Sequence, residues 1–230
     1  MTAAMGSKAR FQPFVLEAHG AWGLQAELFA QYLAKLAAAH CTGIAPRDVK
    51  RLFAFSSIEH MGIIVFAFGM GGSLANFAGL LHMTMHSLTK SAIFFTVGHI
   101  AQVKGTQRIA DITGLTVSQP WLGWSLVVGV FAIAGLPPLG VFMSEFLVVT
   151  STFARAPVLA VLLVFGLLLG FGALMLRLQG MAFGEPTGGD RPSTASAAPI
   201  GAHLGLVLLA GIYPPPPLVA WFQHVAAMLR

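Results

Sequence analysis

The chain has 230 residues, of which 56% are hydrophobic and 9% charged, and its mean hydropathy is +0.78; soluble domains carry about 25% charged residues, so this composition excludes a water-soluble globular fold. Thirteen Lys and Arg against eight Asp and Glu give a net charge of +5, but the basic residues lie mainly in loops, which points to membrane topology and a lipid bilayer, not to nucleic acid. Cys41 is the only cysteine, which excludes an iron–sulfur cluster or an internal disulfide within this chain.

The opening MTAAMGSKAR FQPFVLEAHG lacks the apolar core of a signal peptide. Residues 1–46 form an atypical N-terminal segment, in which GAWGLQAELFAQYLAKLAAA (20–39) spaces Trp22, Leu28, Tyr32 and Leu36 as an amphipathic helix for an interface or a protein surface. From Leu52 the chain reads as an all-α, polytopic transmembrane bundle of about five spans. These spans, within a transmembrane portion over 47–213, lie near 52–70, 74–103, 121–150, 156–182 and 199–213. The third is interrupted by Gly135, Pro137 and Pro138, and the Pro/Gly/Ser-rich stretch 185–199 is a linker. Four prolines (214–217) stop the fifth span, and 214–230 is a C-terminal amphipathic segment.

The distribution of charge orients this bundle. With the N-terminus inside, Lys8, Arg10, Lys35, Arg47, Lys50, Arg51, Lys104, Arg108, Arg177 and Arg191 lie inside and only Arg155 and Arg230 outside. The expectation is a multi-pass protein of the cell inner (cytoplasmic) membrane, N-terminus inside and C-terminus outside.

His82, His86 and Lys90 recur every four residues in the second span. Each step turns about 40° past a full helical turn, so the three share one face at intervals of about 6 Å. A charge at the depth of Lys90 costs about 3 kcal/mol to insert and faces a bundle interior or a hydrated cavity. A lysine balanced between desolvation and a nearby carboxylate can load and release a proton; the alternative is a purely structural polar cluster. Glu145 follows the GLPPLG break, where prolines free backbone carbonyls at membrane depth. It is either part of a transport path or a side chain snorkelling to the edge beside a kink. Glu59 and His60 lie about 12 Å into the first span and, being adjacent, are expected to point one inward and one toward a neighbouring helix. Lys50 and Arg51 mark the membrane edge. His99 is a weaker candidate, and His19, His40, His203 and His224 read as interfacial. There is no nucleotide-binding loop, no CxxC and no set of metal ligands with recognisable spacing, so no cofactor or metal is expected in this chain.

On RDVKRLFAFSSIEHMG (47–62), HMTMHSLTKSAIFF (82–95) and GLPPLGVFMSEF (135–146) the chain resembles the antiporter-like proton-channel subunits of respiratory complex I (NADH dehydrogenase-like) and membrane-bound hydrogenases. SIEHMG, KGTQRIADITGL (104–115) and LRLQGMAFGEP (176–186) are similar to the large membrane subunits of hydrogenase four and formate hydrogenlyase. The resemblance covers about residues 45–230. It implies that Lys90 is the central proton-carrying lysine, that His82 and His86 line a hydrated central axis, and that Glu145 is the terminal charged residue on the broken helix. It also implies that Lys50 stands near the channel, beside the path candidates His60 and Glu59. The chain itself is then a non-redox subunit of an oxidoreductase complex. Iron–sulfur and other redox centres belong to partner subunits, both membrane and peripheral, of a hydrogenase or complex-I-like assembly. Whole family members carry an upstream half with a glutamate and a lysine on earlier helices. This chain is expected to match the C-terminal portion only, as a truncated or split product. A multisubunit cation/proton antiporter subunit and an inert assembly fragment are the rival readings.

Overall fold

A computed structural model describes residues 47–191 and 196–229. The amphipathic helix expected at 20–39 lies outside the described residues. Among them the fold is all α.

Helix α1 (Val49–Met70) starts where the Asp48 carboxylate accepts hydrogen bonds from the backbone N–H groups of Lys50 and Arg51, at 2.8 and 3.2 Å. This satisfies two of the donors that a helix start leaves open. Gly71, at a positive φ of 65°, ends it. Helix α2 (Ser73–Lys104) has 32 residues, an axial length of about 48 Å, and closes on Gly105 at φ 67°. After a 3₁₀ turn (Ile109–Asp111) and the short α3 (Leu115–Ser118) come α4 (Pro120–Ile133) and α5 (Gly140–Arg155). The interruption expected within 121–150 thus divides that stretch into two helices, and α5 continues to Arg155. Helix α6 (Pro157–Ala182) follows, then α7 (Ala198–Ile212) and α8 (Pro216–Met228).

Helix α2 is the axis of the bundle: α1, α4, α5, α7 and α8 all pack against it. Helices α7 and α8 meet at a bend of 73°. Ile200 of α7 joins the core with Val97, Ile100 and Val103, near one end of α2. Phe222 of α8 packs with Leu81 and Met85, and the Leu229 carbonyl accepts from Asn76 Nδ2 at 2.9 Å near the other end. The prolines at 214–217 therefore do more than stop a span. The chain resumes as α8 along the same axial helix, burying only Phe222 and Ala226.

Among the described residues, length and apolar composition alone qualify α1 and α6 as membrane-crossing helices, and the bent α7–α8 pair makes a third if it is counted as one broken span. Helix α2 has the length, but His82, His86 and Lys90 interrupt its apolar character. Burial follows the pattern of a protein dissolved in lipid. Ile58, Val65, Phe146, Phe153, Phe165 and Leu168 are exposed, while Glu59, His60, His82, His86, Lys90 and Glu145 are buried. Contiguous exposed apolar surface on this scale requires an apolar surrounding.

Loops gather at the two ends of the bundle. At one end Arg155 Nη1 donates to the carbonyls of Met70 and Gly71, both at 2.7 Å. At the other, Lys104 Nζ pairs with Asp190 Oδ1 at 2.6 Å, the Arg191 N–H donates to the Val103 carbonyl at 2.9 Å, and the Val49 N–H to the Gln107 carbonyl at 2.9 Å.

Candidate proton path

The spacing of α2 places His82, His86 and Lys90 on its buried face, with exposures of 0, 5 and 5%. Lys90 Nζ donates to the Phe53 carbonyl of α1 at 2.8 Å and lies 5.6 Å from the centre of the Phe53 ring. One turn of α2 away, the His86 ring centre is 5.0 Å from that of His60 and 6.4 Å from that of His82. His60 Nδ1 lies 3.0 Å from His82 Nε2 and 3.9 Å from Glu145 Oε1. Three helices thus contribute to one buried polar line: Lys90, His86 and His82 from α2, His60 from α1 and Glu145 from α5.

The helix break has a direct part in this arrangement. Four residues beyond Ile133 stands Pro137, which has no N–H to give the Ile133 carbonyl; that carbonyl stands near the His60 ring. Gly135, at φ 67°, turns the chain so that a Cβ there would run into the Glu145 carboxylate. Both a positive φ and the lack of a side chain are needed at this position.

Glu59 and His60 diverge as adjacent helical residues must. His60 faces α2 and α5, while the Glu59 carboxylate lies against Gly170 of α6, where a Cβ would collide with it. Glu59 is also close enough to interact electrostatically with both Lys90 and Glu145. Lys50 stands apart from these groups. It is exposed in the first turn of α1, its Nζ 3.2 Å from the side-chain amide of Gln107, and ten residues of helix, about 15 Å, separate it from His60.

Several contributors have no signature in the sequence. Ser144 Oγ donates to the Val141 carbonyl at 2.8 Å and lies 2.9 Å from His82 Nδ1. Ser56 Oγ and Thr89 Oγ1 are buried polar atoms with no protein partner, as is Nδ1 of His86, a residue that its spacing does mark. The Ile133 carbonyl, Gly135 and Gly170 complete the set. Only their tertiary neighbours distinguish them from ordinary helix residues.

A helical bundle that exposes apolar side chains and buries a line of ionisable ones, broken by a proline pair beside a carboxylate, defines an integral membrane protein. A profile described as "NADH:quinone oxidoreductase/Mrp antiporter, TM" matches residues 4–170, and the chain belongs to this family. The match begins well ahead of residue 45, so much of the N-terminal segment set apart by the sequence motifs falls within it. The chain is 63% identical over 184 residues to a hydrogenase-4 component F homolog of Methylacidiphilum infernorum, a match covering 80% of this chain and 39% of the relative. The chain thus spans about two fifths of the length of that relative. Its fold is similar to a chain of the Mrp complex from Dietzia, with TM-score 0.80 and 18% identity, covering 92% of this chain and 48% of that one. It is likewise similar to a chain of respiratory complex I from Thermus thermophilus, with TM-score 0.75 and 23% identity, covering 92% and 46%.

Proposed function

We propose that the chain carries part of a proton-translocation path in a multisubunit membrane oxidoreductase of the hydrogenase or NADH–quinone oxidoreductase type. The observation that carries this reading is the buried line Lys90–His86–His60/His82–Glu145, in which three imidazoles lie between an amine and a carboxylate. Neutral imidazoles accept a proton on one nitrogen and release one from the other. Lys90 supplies a cationic station, and Glu59 and Glu145 supply carboxylates at its flanks. The partnerless Ser56, His86 and Thr89 atoms are of the kind that ordered water satisfies, and water bridges steps too long for a direct hydrogen bond. Redox chemistry then belongs to partner subunits that hold the iron–sulfur centres. The protein sits in the cytoplasmic membrane with its N-terminus inside.

The test is proton transfer by the assembled complex in sealed vesicles, comparing wild type with His82→Gln and Glu145→Gln. Both variants should retain electron transfer in the redox subunits and lose most proton transfer. Wild-type proton transfer in both would overturn the path. The antiporter reading differs in requiring a second cation; sodium dependence of the flux would favour it. The 63% identity to a hydrogenase-4 component homolog supports the oxidoreductase reading.

A further inference from the structure

We propose that His60, His82 and Glu145 form a binding site for one divalent transition-metal cation of the Zn²⁺ class. Each offers one ligand atom, and the three atoms lie within 4.8 Å of one another. They come from α1, α2 and α5, so no sequence spacing betrays them. Two imidazole nitrogens and a carboxylate oxygen match a three-ligand zinc site with a fourth position left for water. Zinc–nitrogen bonds of about 2.0–2.1 Å in a tetrahedron set ligand atoms about 3.3–3.4 Å apart. The observed separations of 3.0 Å (His60 Nδ1 to His82 Nε2) and 3.9 Å (His60 Nδ1 to Glu145 Oε1) straddle that value.

Hydrogen bonds around the trio orient its lone pairs. Ser144 Oγ gives its single proton to the Val141 carbonyl, so it accepts from His82 Nδ1–H. Neutral His82 therefore turns a bare Nε2 toward His60 and Glu145. The Ile133 carbonyl stands near the His60 ring. A ligating histidine whose other nitrogen donates to an oxygen is the usual outer-shell arrangement of a metal site. His86, with its buried Nδ1 lacking a protein partner and its ring centre 5.0 Å from that of His60, adds a further donor at the margin. A cation here replaces the direct His60–His82 contact and ties up three members of the path at once.

The full chain in lipid nanodiscs is titrated with Co²⁺, whose visible spectrum reports tetrahedral nitrogen/oxygen ligation, and then with Zn²⁺ as competitor. One Co²⁺ per chain with a tetrahedral spectrum, displaced by Zn²⁺, is expected. Glu145→Gln and His82→Gln should weaken binding by about ten- to hundred-fold, and Ser144→Ala, which keeps all three ligands and disturbs only the orientation of His82, should weaken it by about tenfold. His203→Gln, on α7 and outside the trio, should leave it unchanged. Helical content by circular dichroism checks that each variant is folded. Absence of saturable binding, an octahedral spectrum, or equal affinity in wild type, Ser144→Ala and Glu145→Gln would overturn the site. A separate arm rests on the proposed path: Zn²⁺ should slow proton transfer by the assembled complex, and a chelator should restore it. Binding without slowing would overturn the path and leave the site standing.

Discussion

Lys90 Nζ lies 2.8 Å from the Phe53 carbonyl oxygen, which also accepts from Ser57 Oγ at 3.1 Å. A backbone oxygen of α1 thus receives a buried ammonium of α2 in addition to its local partner. Such an anchor holds the lysine without fixing its protonation, since a carbonyl accepts from either form of the amine.

That anchoring makes the charge of Lys90 the testable quantity. Lys90→Ala should abolish proton transfer by the assembled complex. Lys90→Arg should leave a slowed remnant, because arginine keeps the charge and does not release a proton near neutral pH. Vesicle acidification assays on both variants decide the matter: wild-type rates in each would reduce Lys90 to a structural residue.

The packing of Glu59 on Gly170 permits a paired comparison. Gly170→Ala puts a methyl group into the space held by the Glu59 carboxylate, whereas a Cβ at Gly172 meets nothing within 4 Å. Each substitution gains up to about 1 kcal/mol of helix propensity, so neither should lower thermal stability. Displacing a relay carboxylate by about 1 Å should slow proton transfer on the order of tenfold or more in Gly170→Ala alone. Equal rates in the two variants would show that Glu59 tolerates displacement.

The end contacts sort the loops into two sides, Met70–Gly71 with Arg155 and Val103–Lys104 with Asp190–Arg191. Reporter fusions at Gly72 and Ala156 should therefore agree with each other and read outside; those at Gly105 and Gly189 should read inside. An inverted pattern would reverse the orientation that the basic residues indicate.

The Lys104–Asp190 clasp predicts an acid-sensitive linker. Burial raises the Asp190 carboxyl, but hydrogen bonds from Lys104 and Gln119 and the Lys104 charge outweigh it and hold the group below its ordinary value. A depressed carboxylate contributes stability in full above its unfolded value of about 3.9 and loses it as pH falls through the lower folded value. Hydrogen exchange over 183–191 should thus stay slow at neutral pH and accelerate below about pH 4. Lys104→Ala should bring the faster exchange to neutral pH. Exchange independent of both pH and Lys104 would show that the backbone contact from Arg191 to Val103 holds the linker by itself.

What could be read in advance follows from how each feature is encoded. His82, His86 and Lys90 lie on one helix, and helical geometry alone puts them on one face. The break before Glu145 is written in Pro137 and Pro138. The pairing of His60 with His82 joins two helices whose relative rotation no local pattern sets, and Ser144, Gly135 and Gly170 matter only through neighbours distant in sequence. The course of α8 escaped for the same reason. Four prolines announce that α7 ends, and the packing of Phe222 against Leu81 and Met85 decides where the chain goes next. Lys50 is legible only through its motif; the first turn of α1 sets it about 15 Å from His60.

Helix α2 is clamped by five others, and it also carries three of the buried ionisable groups. Such a rod cannot tilt or slide without dragging most of the molecule along. On the proposed path, switching falls to small parts: rotation of the Lys90 stem, flipping of the imidazoles, and movement of the Glu145 carboxylate away from its seat against Gly135. The proposed path therefore asks for a few mobile side chains in a rigid frame, not for the displacement of whole helices.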